Sequence, residues 1–278
     1  MKAHETAIIS PKAEIADDVV IGERCVINDG VKIGRGTQIQ LGAYITGQTT
    51  IGDNCDIFPY AIVGAVPQDL KFGGEATSVV IGNNNVIREF ATVHRGTVGG
   101  GGVTCIGDNN FIMAYSHVAH DCRIGDHTIL ANAASLAGHI IVEDHAIIGG
   151  LVGVHQFVQI GAYSITGGCS ALDRDVLPYA QAAGNRARHF GLNLVGLRRA
   201  GFSSAKIQML KETYRLLFRA DLKRDAALKS IEEKFGEHEE AMHILDFIRH
   251  SRRGLCPDQH QKDEGGSERM KDEGGRAL

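Results

Sequence analysis

An aliphatic side chain returns at every sixth position from Ile9 to Val63, at Ile15, Ile21, Ile27, Ile33, Ile39, Ile45, Ile51 and Ile57. The same phase resumes at Ile81, Ile87 and Val93. It then restarts one residue out of step at Ile106 and runs through Ile112, Val118, Ile124, Leu130, Leu136, Val142, Ile148, Val154 and Ile160. A period of six is neither the roughly 3.6 of a helix nor the 2 of a long strand, so each unit must be a short strand followed by a turn. Glycine follows the aliphatic at Gly22, Gly34, Gly52, Gly82, Gly107, Gly125, Gly149 and Gly161, and the 35 glycines of the chain suit a fold that turns so often. Three such units close a triangular coil. Stacked coils carry the aliphatics into one interior column and pair their strands about 4.8 Å apart.

The prism is expected over residues 1–190, with loops ejected at Val66–Ser78, which leaves the phase unchanged, and at His94–Cys105, which shifts it by one. Loops thrown out of a rigid scaffold are where function concentrates. Beyond Ser203, a plausible N-cap, Ile207, Leu210, Tyr214, Leu217 and Phe218 share one helical face, and a second amphipathic stretch covers Ala226–Ile248 with a break near Gly236. These predict a C-terminal helical domain over 191–256. The tail 257–278, with KDEGG at 262–266 and again at 271–275, is polar enough to be expected disordered.

The formal net charge of −4 gives no support for a nucleic-acid polymer as partner. Cys25, Cys55, Cys105, Cys122, Cys169 and Cys256 form no CxxC pair, no signal peptide precedes the first repeat, and no apolar run reaches the roughly 18 residues of a membrane span. A cytoplasmic protein without stable membrane insertion is expected.

Residues 18 apart stack on the surface of a three-unit coil. His120, Gly138 and Gln156 therefore form one column, Asp121, His139 and Phe157 the next, with His117 and His155 close by. Three readings of these histidines compete. The first takes them as ordinary turn residues. The second takes them as ligands of a metal, although the spacing of a hexapeptide-repeat carbonic anhydrase wants a second histidine four or so residues beyond His155, and position 160 is isoleucine. The third takes them as a general-base site, with His120 taking a proton from a sugar hydroxyl, Asp121 supporting the imidazolium and the backbone N–H of Gly138 meeting an oxyanion. No serine or cysteine nucleophile is needed where the acyl donor is already a thioester.

The segments QDLKFGGE (68–75), HRGT (94–97), AHDC (119–122), LANAASLAGH (130–139), HQF (155–157) and GGCS (167–170) together resemble the acyl-carrier-protein:UDP-N-acetylglucosamine O-acyltransferase family, which opens lipid A biosynthesis. The resemblance extends from the N-terminus to about Leu255. It implies a mainly β, left-handed parallel β-helix, a homotrimer with sites between prisms, and transfer of a 3-hydroxyacyl chain from acyl carrier protein to the 3-hydroxyl of UDP-N-acetylglucosamine, without metal or dissociable cofactor. It makes His120 the base and Gly138 the oxyanion donor. Asp69, Lys71, His117 and His139 would hold glucosamine and phosphate, and His155, Gln156, Asn193 and Arg199 the nucleotide. Gly168 would floor the acyl groove with Ile165 beside it, and His94 belongs to a family motif without an assigned role. Val195 and Ala200 stand where relatives carry charged residues. A related N-acyltransferase, a 3-amino-sugar acceptor and a non-catalytic solenoid binding carrier protein or nucleotide sugar are the rival readings.

Overall fold

The protein, seen as a computed structural model that describes residues 1–261, is a left-handed parallel β-helix followed by four helices. Its three faces are sheets of eleven, nine and eight short strands. The first face begins at Lys2–Ala3, the second at Ile8–Ile9 and the third at Glu14–Ile15. Within each two-residue strand the second residue points inward. Ile27, Ile45, Ile57, Ile87, Ile112, Leu130, Leu136 and Ile148 are all buried, and burying each such side chain is worth roughly 1.5–3 kcal/mol.

Register explains the two phase changes. Ile51 pairs with Ile81, thirty residues on, so the first insertion adds twelve residues and keeps a multiple of six. Ile81 pairs with Ile106, twenty-five residues on, so the second adds seven and shifts the phase by one. The loops are shorter than the sequence suggests. The second face keeps Ile62–Ala65 and Thr92–His94, and the third keeps Ser78–Ile81 and Val103–Ile106. Ser78, His94 and Val103 to Cys105 therefore belong to strands, leaving 66–77 and 95–102 as the excursions. Backbone pairing extends past the hexad rule there because Thr104 turns inward and is fully buried.

The three corners of the prism differ in content. From Arg24 onward the turn residues of the regular coils take a left-handed conformation, as Tyr115 (φ 62°), Asp121 (φ 61°) and His127 (φ 56°) do in one coil. Between the first and second faces lies an aromatic corner, where Tyr60, Phe90 and Tyr115 stack with centroids 5.3 and 5.0 Å apart. Between the second and third lies a histidine corner, which also emits both loops. Between the third and first lies an aspartate corner, where Asp126 Oδ1 accepts from the N–H of Asp108 and Asp144 Oδ1 from that of Asp126.

The expected boundary at 190 falls inside a strand. Ala180–Ala183 and Arg188–Leu192 form an antiparallel pair that closes the first face before the helices begin. The helices are α1 (Leu194–Arg199), α2 (Ser204–Phe218), α3 (Arg224–Phe235) and α4 (Glu239–His250). Ser203 caps α2 by accepting from the Lys206 N–H at 3.2 Å. The start of the expected disordered tail is corrected. Asp258 is fully buried, takes the Tyr214 hydroxyl at 2.6 Å and an Arg219 N–H at 3.2 Å, and the His189 N–H donates to Pro257 O. A polar segment is ordered here because its one carboxylate has a buried phenol and a guanidinium to meet. Residues 262–278, including both KDEGG segments, lie outside the described residues.

Candidate active site

The histidine corner gathers the residues that the 18-residue spacing brought together. Across the turn after Val118, the His139 N–H donates to His120 O and the Phe157 N–H to Gly138 O, which stacks the three coils in register. His139 lies flat on Phe157 (4.6 Å, 10°) and edge-on to His120 (5.0 Å, 87°).

Asp121 organises the site. Its left-handed backbone swings the carboxylate back alongside its own neighbour, so that Oδ2 lies 2.8 Å from His120 Nδ1. The carboxylate also accepts from the Thr97 N–H (2.9 and 3.1 Å) and the Thr97 hydroxyl (2.6 Å), while the Asp121 N–H donates to Thr104 Oγ1 (2.8 Å). Only 1% of the side chain is exposed, so the donors hold a buried anion in one orientation. A proton on Nδ1 of a neutral ring would face this carboxylate and leave Nε2 with the free lone pair. Sequence spacing missed Thr97 because it lies in the ejected loop 95–102, 24 residues from its partner, where counting by 18 does not reach.

Gly138 lies directly under the His120 ring, and a Cβ there would stand 2.7 Å from Nε2. Its N–H has no acceptor among the described residues. A side chain at this position would displace the imidazole, which is the physical reason for glycine here.

Two further imidazoles lie behind. His117 Nδ1 is 2.7 Å from Thr92 Oγ1, and its ring meets that of His94 edge-on at 4.9 Å. Burial first, then the neighbouring His117 and His120, push His94 down to about 4. Burial and His120 lower His117. Burial likewise lowers His139, against opposing pulls from Asp121 and Asp69. The last effect places Asp69, in the 66–77 loop, within electrostatic reach of the cluster. Its Oδ1 takes the Lys71 N–H at 3.0 Å, and Lys71 itself is exposed.

His120, Asp121 and His139 have ligand atoms within 4.8 Å of one another, close enough by distance for a cation. The oxygen they share, however, already receives the Thr97 hydroxyl and faces His120 Nδ1. The donor chemistry is that of a hydrogen-bonded carboxylate–imidazole pair.

The other expected site residues divide among the corners. His155 lies at the histidine corner beside Gln156, its Nδ1 3.2 Å from Gln156 O, and it shares with His117 a surface groove of about 540 Å³ that runs past Ser135, Gly153 and Ala171 to Arg186. Ile165 is on the first face and Gly168 at the aromatic corner, where a Cβ would stand 3.2 Å from Gly150 O. Asn193 is at the aspartate corner. Its amide caps α1 by accepting from the Gly196 N–H and donates to Tyr163 O, so it is buried and committed to structure. Arg199, Val195 and Ala200 are exposed on or just after α1. One chain thus does not assemble Asn193, Arg199 and Gly168 with His120.

Known proteins match along nearly the whole chain. Residues 175–256 fit the family model described as domain 2 of UDP-N-acetylglucosamine O-acyltransferase, and 106–138 the bacterial transferase hexapeptide repeat. An acyl-[acyl-carrier-protein]–UDP-N-acetylglucosamine O-acyltransferase of Thermodesulfovibrio yellowstonii is 54% identical over 253 residues, covering 91% of this chain and 98% of its own. The UDP-N-acetylglucosamine acyltransferase structure of Francisella novicida superposes with a TM-score of 0.91 at 38% identity, covering 93% of this chain and 95% of that one. That of Campylobacter jejuni gives 0.88 at 43%, covering 92% and 99%. With its fold, its histidine corner and these relatives in agreement, the chain belongs to the acyl-[acyl-carrier-protein]–UDP-N-acetylglucosamine O-acyltransferase family.

Proposed function

We propose that this chain transfers a 3-hydroxyacyl group from acyl carrier protein to the 3-hydroxyl of UDP-N-acetylglucosamine, the first step of lipid A biosynthesis, by direct attack with His120 as general base. The observation that carries the mechanism is the position of His120, between a buried, fully hydrogen-bonded Asp121 and the bare backbone of Gly138. With its proton held on Nδ1, His120 accepts the hydroxyl proton at Nε2 as the sugar oxygen attacks the thioester carbon. The carbonyl oxygen becomes an oxyanion facing the free Gly138 N–H. Collapse breaks the carbon–sulfur bond, and the imidazolium returns its proton to the departing thiolate. Asp121 stabilises that imidazolium, and the lowered basicity of His94, His117 and His139 keeps these neighbours from adding opposing charge.

Asp69, Lys71, His117 and His139 surround the sugar side in this reading. His155, Gln156 and Arg199 meet the nucleotide, and Asn193 acts by capping the helix that carries Arg199. Because those residues occupy different corners, a homotrimer supplies the missing wall, with Gly168 and Ile165 lining the acyl path. No helix among the described residues is long and apolar enough to cross a membrane, and the six cysteines are free thiols, which supports a cytoplasmic enzyme with soluble substrates.

Intact-mass analysis tests the direct route. Enzyme mixed with acyl donor alone should show no acyl adduct, and addition of acceptor should yield an ester at the 3-position. An acyl-enzyme that passes its acyl group to the acceptor would contradict the mechanism.

A further inference from the structure

Both loops leave the prism at the histidine corner, and one arginine between them has no counter-ion among the described residues. Arg95 occupies in its coil the place that His120 occupies in the next, since Thr92 pairs with His117 and Val93 with Val118. Its guanidinium lies in a cradle. The floor is Gly47, where a Cβ would stand 2.6 Å from Nη1, and the roof is Phe72, whose ring centroid is 5.4 Å from Cζ. Phe72 belongs to the same loop as Asp69 and Lys71. Nε is buried without any hydrogen-bond acceptor, and no carboxylate pairs with this guanidinium among the described residues.

Arg123, Arg198 and Arg199 also lack an ion pair among the described residues but are exposed to water, and several others are paired. Arg88 pairs with Glu89, Arg186 with Asp173, Arg219 with Asp258 and Arg249 with Glu232. A guanidinium held between a ring and a glycine has already lost much of its water and its freedom, and an uncompensated buried donor calls for a partner. Its planar fork fits the oxygens of a phosphate ester.

We infer that Arg95 is an anion site for the phosphodiester of the acyl donor's phosphopantetheine arm. The choice of donor over acceptor rests on the reading given above, which places the nucleotide by Gln156. Gln156 lies two coils beyond His120, whereas Arg95 lies one coil before it, so with coils about 4.8 Å apart the two anions fall on opposite sides of the base. With the nucleotide placed by Gln156, the donor brings the phosphate on the other side, and an acceptor phosphate reaching past Lys71 to Arg95 would instead appear as a raised KM for UDP-N-acetylglucosamine.

The test compares two soluble donors, a 3-hydroxyacyl phosphopantetheine and the same thioester of pantetheine without the phosphate, at saturating UDP-N-acetylglucosamine. Wild-type enzyme should favour the phosphorylated donor in KM by roughly tenfold or more, the scale of a charge-assisted hydrogen bond. Arg95→Gln should abolish that preference by raising KM for the phosphorylated donor alone, with kcat changed less than about threefold, and Arg95→Lys should keep part of it. The assignment is overturned if R95Q retains the preference, weakens both donors equally, or raises only the KM of UDP-N-acetylglucosamine. Failure of the acyltransfer reading would look different, as wild-type enzyme that turns over neither donor.

Discussion

His139 and His145 occupy equivalent turn positions on two corners of the same prism. Each has a left-handed backbone (φ 62° and 59°), each lies on an aromatic ring one coil along (Phe157 at 4.6 Å, Tyr163 at 4.4 Å), and burial lowers the basicity of each. Stacking, conformation and a shifted titration are therefore properties of the framework, not marks of a site. What differs is the nearest carboxylate. At the histidine corner Asp121 is buried, fixed by Thr97 and turned toward His120. At the aspartate corner Asp144 is exposed, and its Oδ1 is spent on the backbone N–H of Asp126. One corner turns its acid toward an imidazole, and the other uses its acids to hold coils together.

Exchanging the roles of these acids should produce the largest effect. Asp121→Ala is expected to lower kcat by roughly a hundredfold or more, since the imidazole loses both orientation and charge support. Asp144→Ala should leave kcat unchanged and cost about 1 kcal/mol of stability, read as a small drop in Tm. Equal kinetic losses in the two variants would erase the distinction.

Glycines sharpen it next. Gly138→Ala pushes a methyl group into the His120 ring and should reduce kcat by about tenfold or more with modest change in Tm. Gly153→Ala meets nothing within 4 Å and should be tolerated in both assays. Thr97→Val removes one of the donors to Asp121 but keeps the backbone N–H, so a loss of a few-fold in kcat is expected, on the scale of one net hydrogen bond of about 1 kcal/mol.

The smallest test concerns acid stability. Burial pushes His94 and His189 down to about 4 in the folded chain, from about 6.5 unfolded. The unfolded state then binds more protons, so their contribution is intact above pH 6.5 and is lost as the pH falls from there toward 4. His243 runs oppositely. Glu143, 2.9 Å from its Nε2, raises it, so its contribution is full below the unfolded value and fades as pH rises through the folded one. Denaturant melts across that acid range should show His189→Phe with lower stability at neutral pH but a shallower decline than wild type, and His243→Phe with no such flattening.

Much of this was legible in the hexad phase. Ile51, Ile81 and Ile106 announced both insertions, and counting by 18 brought His120 over Gly138 because coils without insertions repeat strictly. The partnership of Thr97 with Asp121 was not legible, since it crosses an insertion and depends on a left-handed carboxylate turning back. Handedness came from the family resemblance, not from periodicity. Asn193 shows another limit: an asparagine before an apolar helix can serve a cap as readily as a ligand, and spacing does not tell which. The order at Asp258 escaped because composition averages over a segment, whereas one buried contact with Tyr214 and Arg219 holds it.

The most direct measurement compares His120→Ala with His145→Ala in a purified single-turnover assay, with thermal melts alongside. The account predicts that H120A loses roughly two to four orders of magnitude in rate while remaining folded, and that H145A turns over nearly as wild type. A His120 variant within tenfold of wild type, or a His145 variant equally disabled, would contradict it.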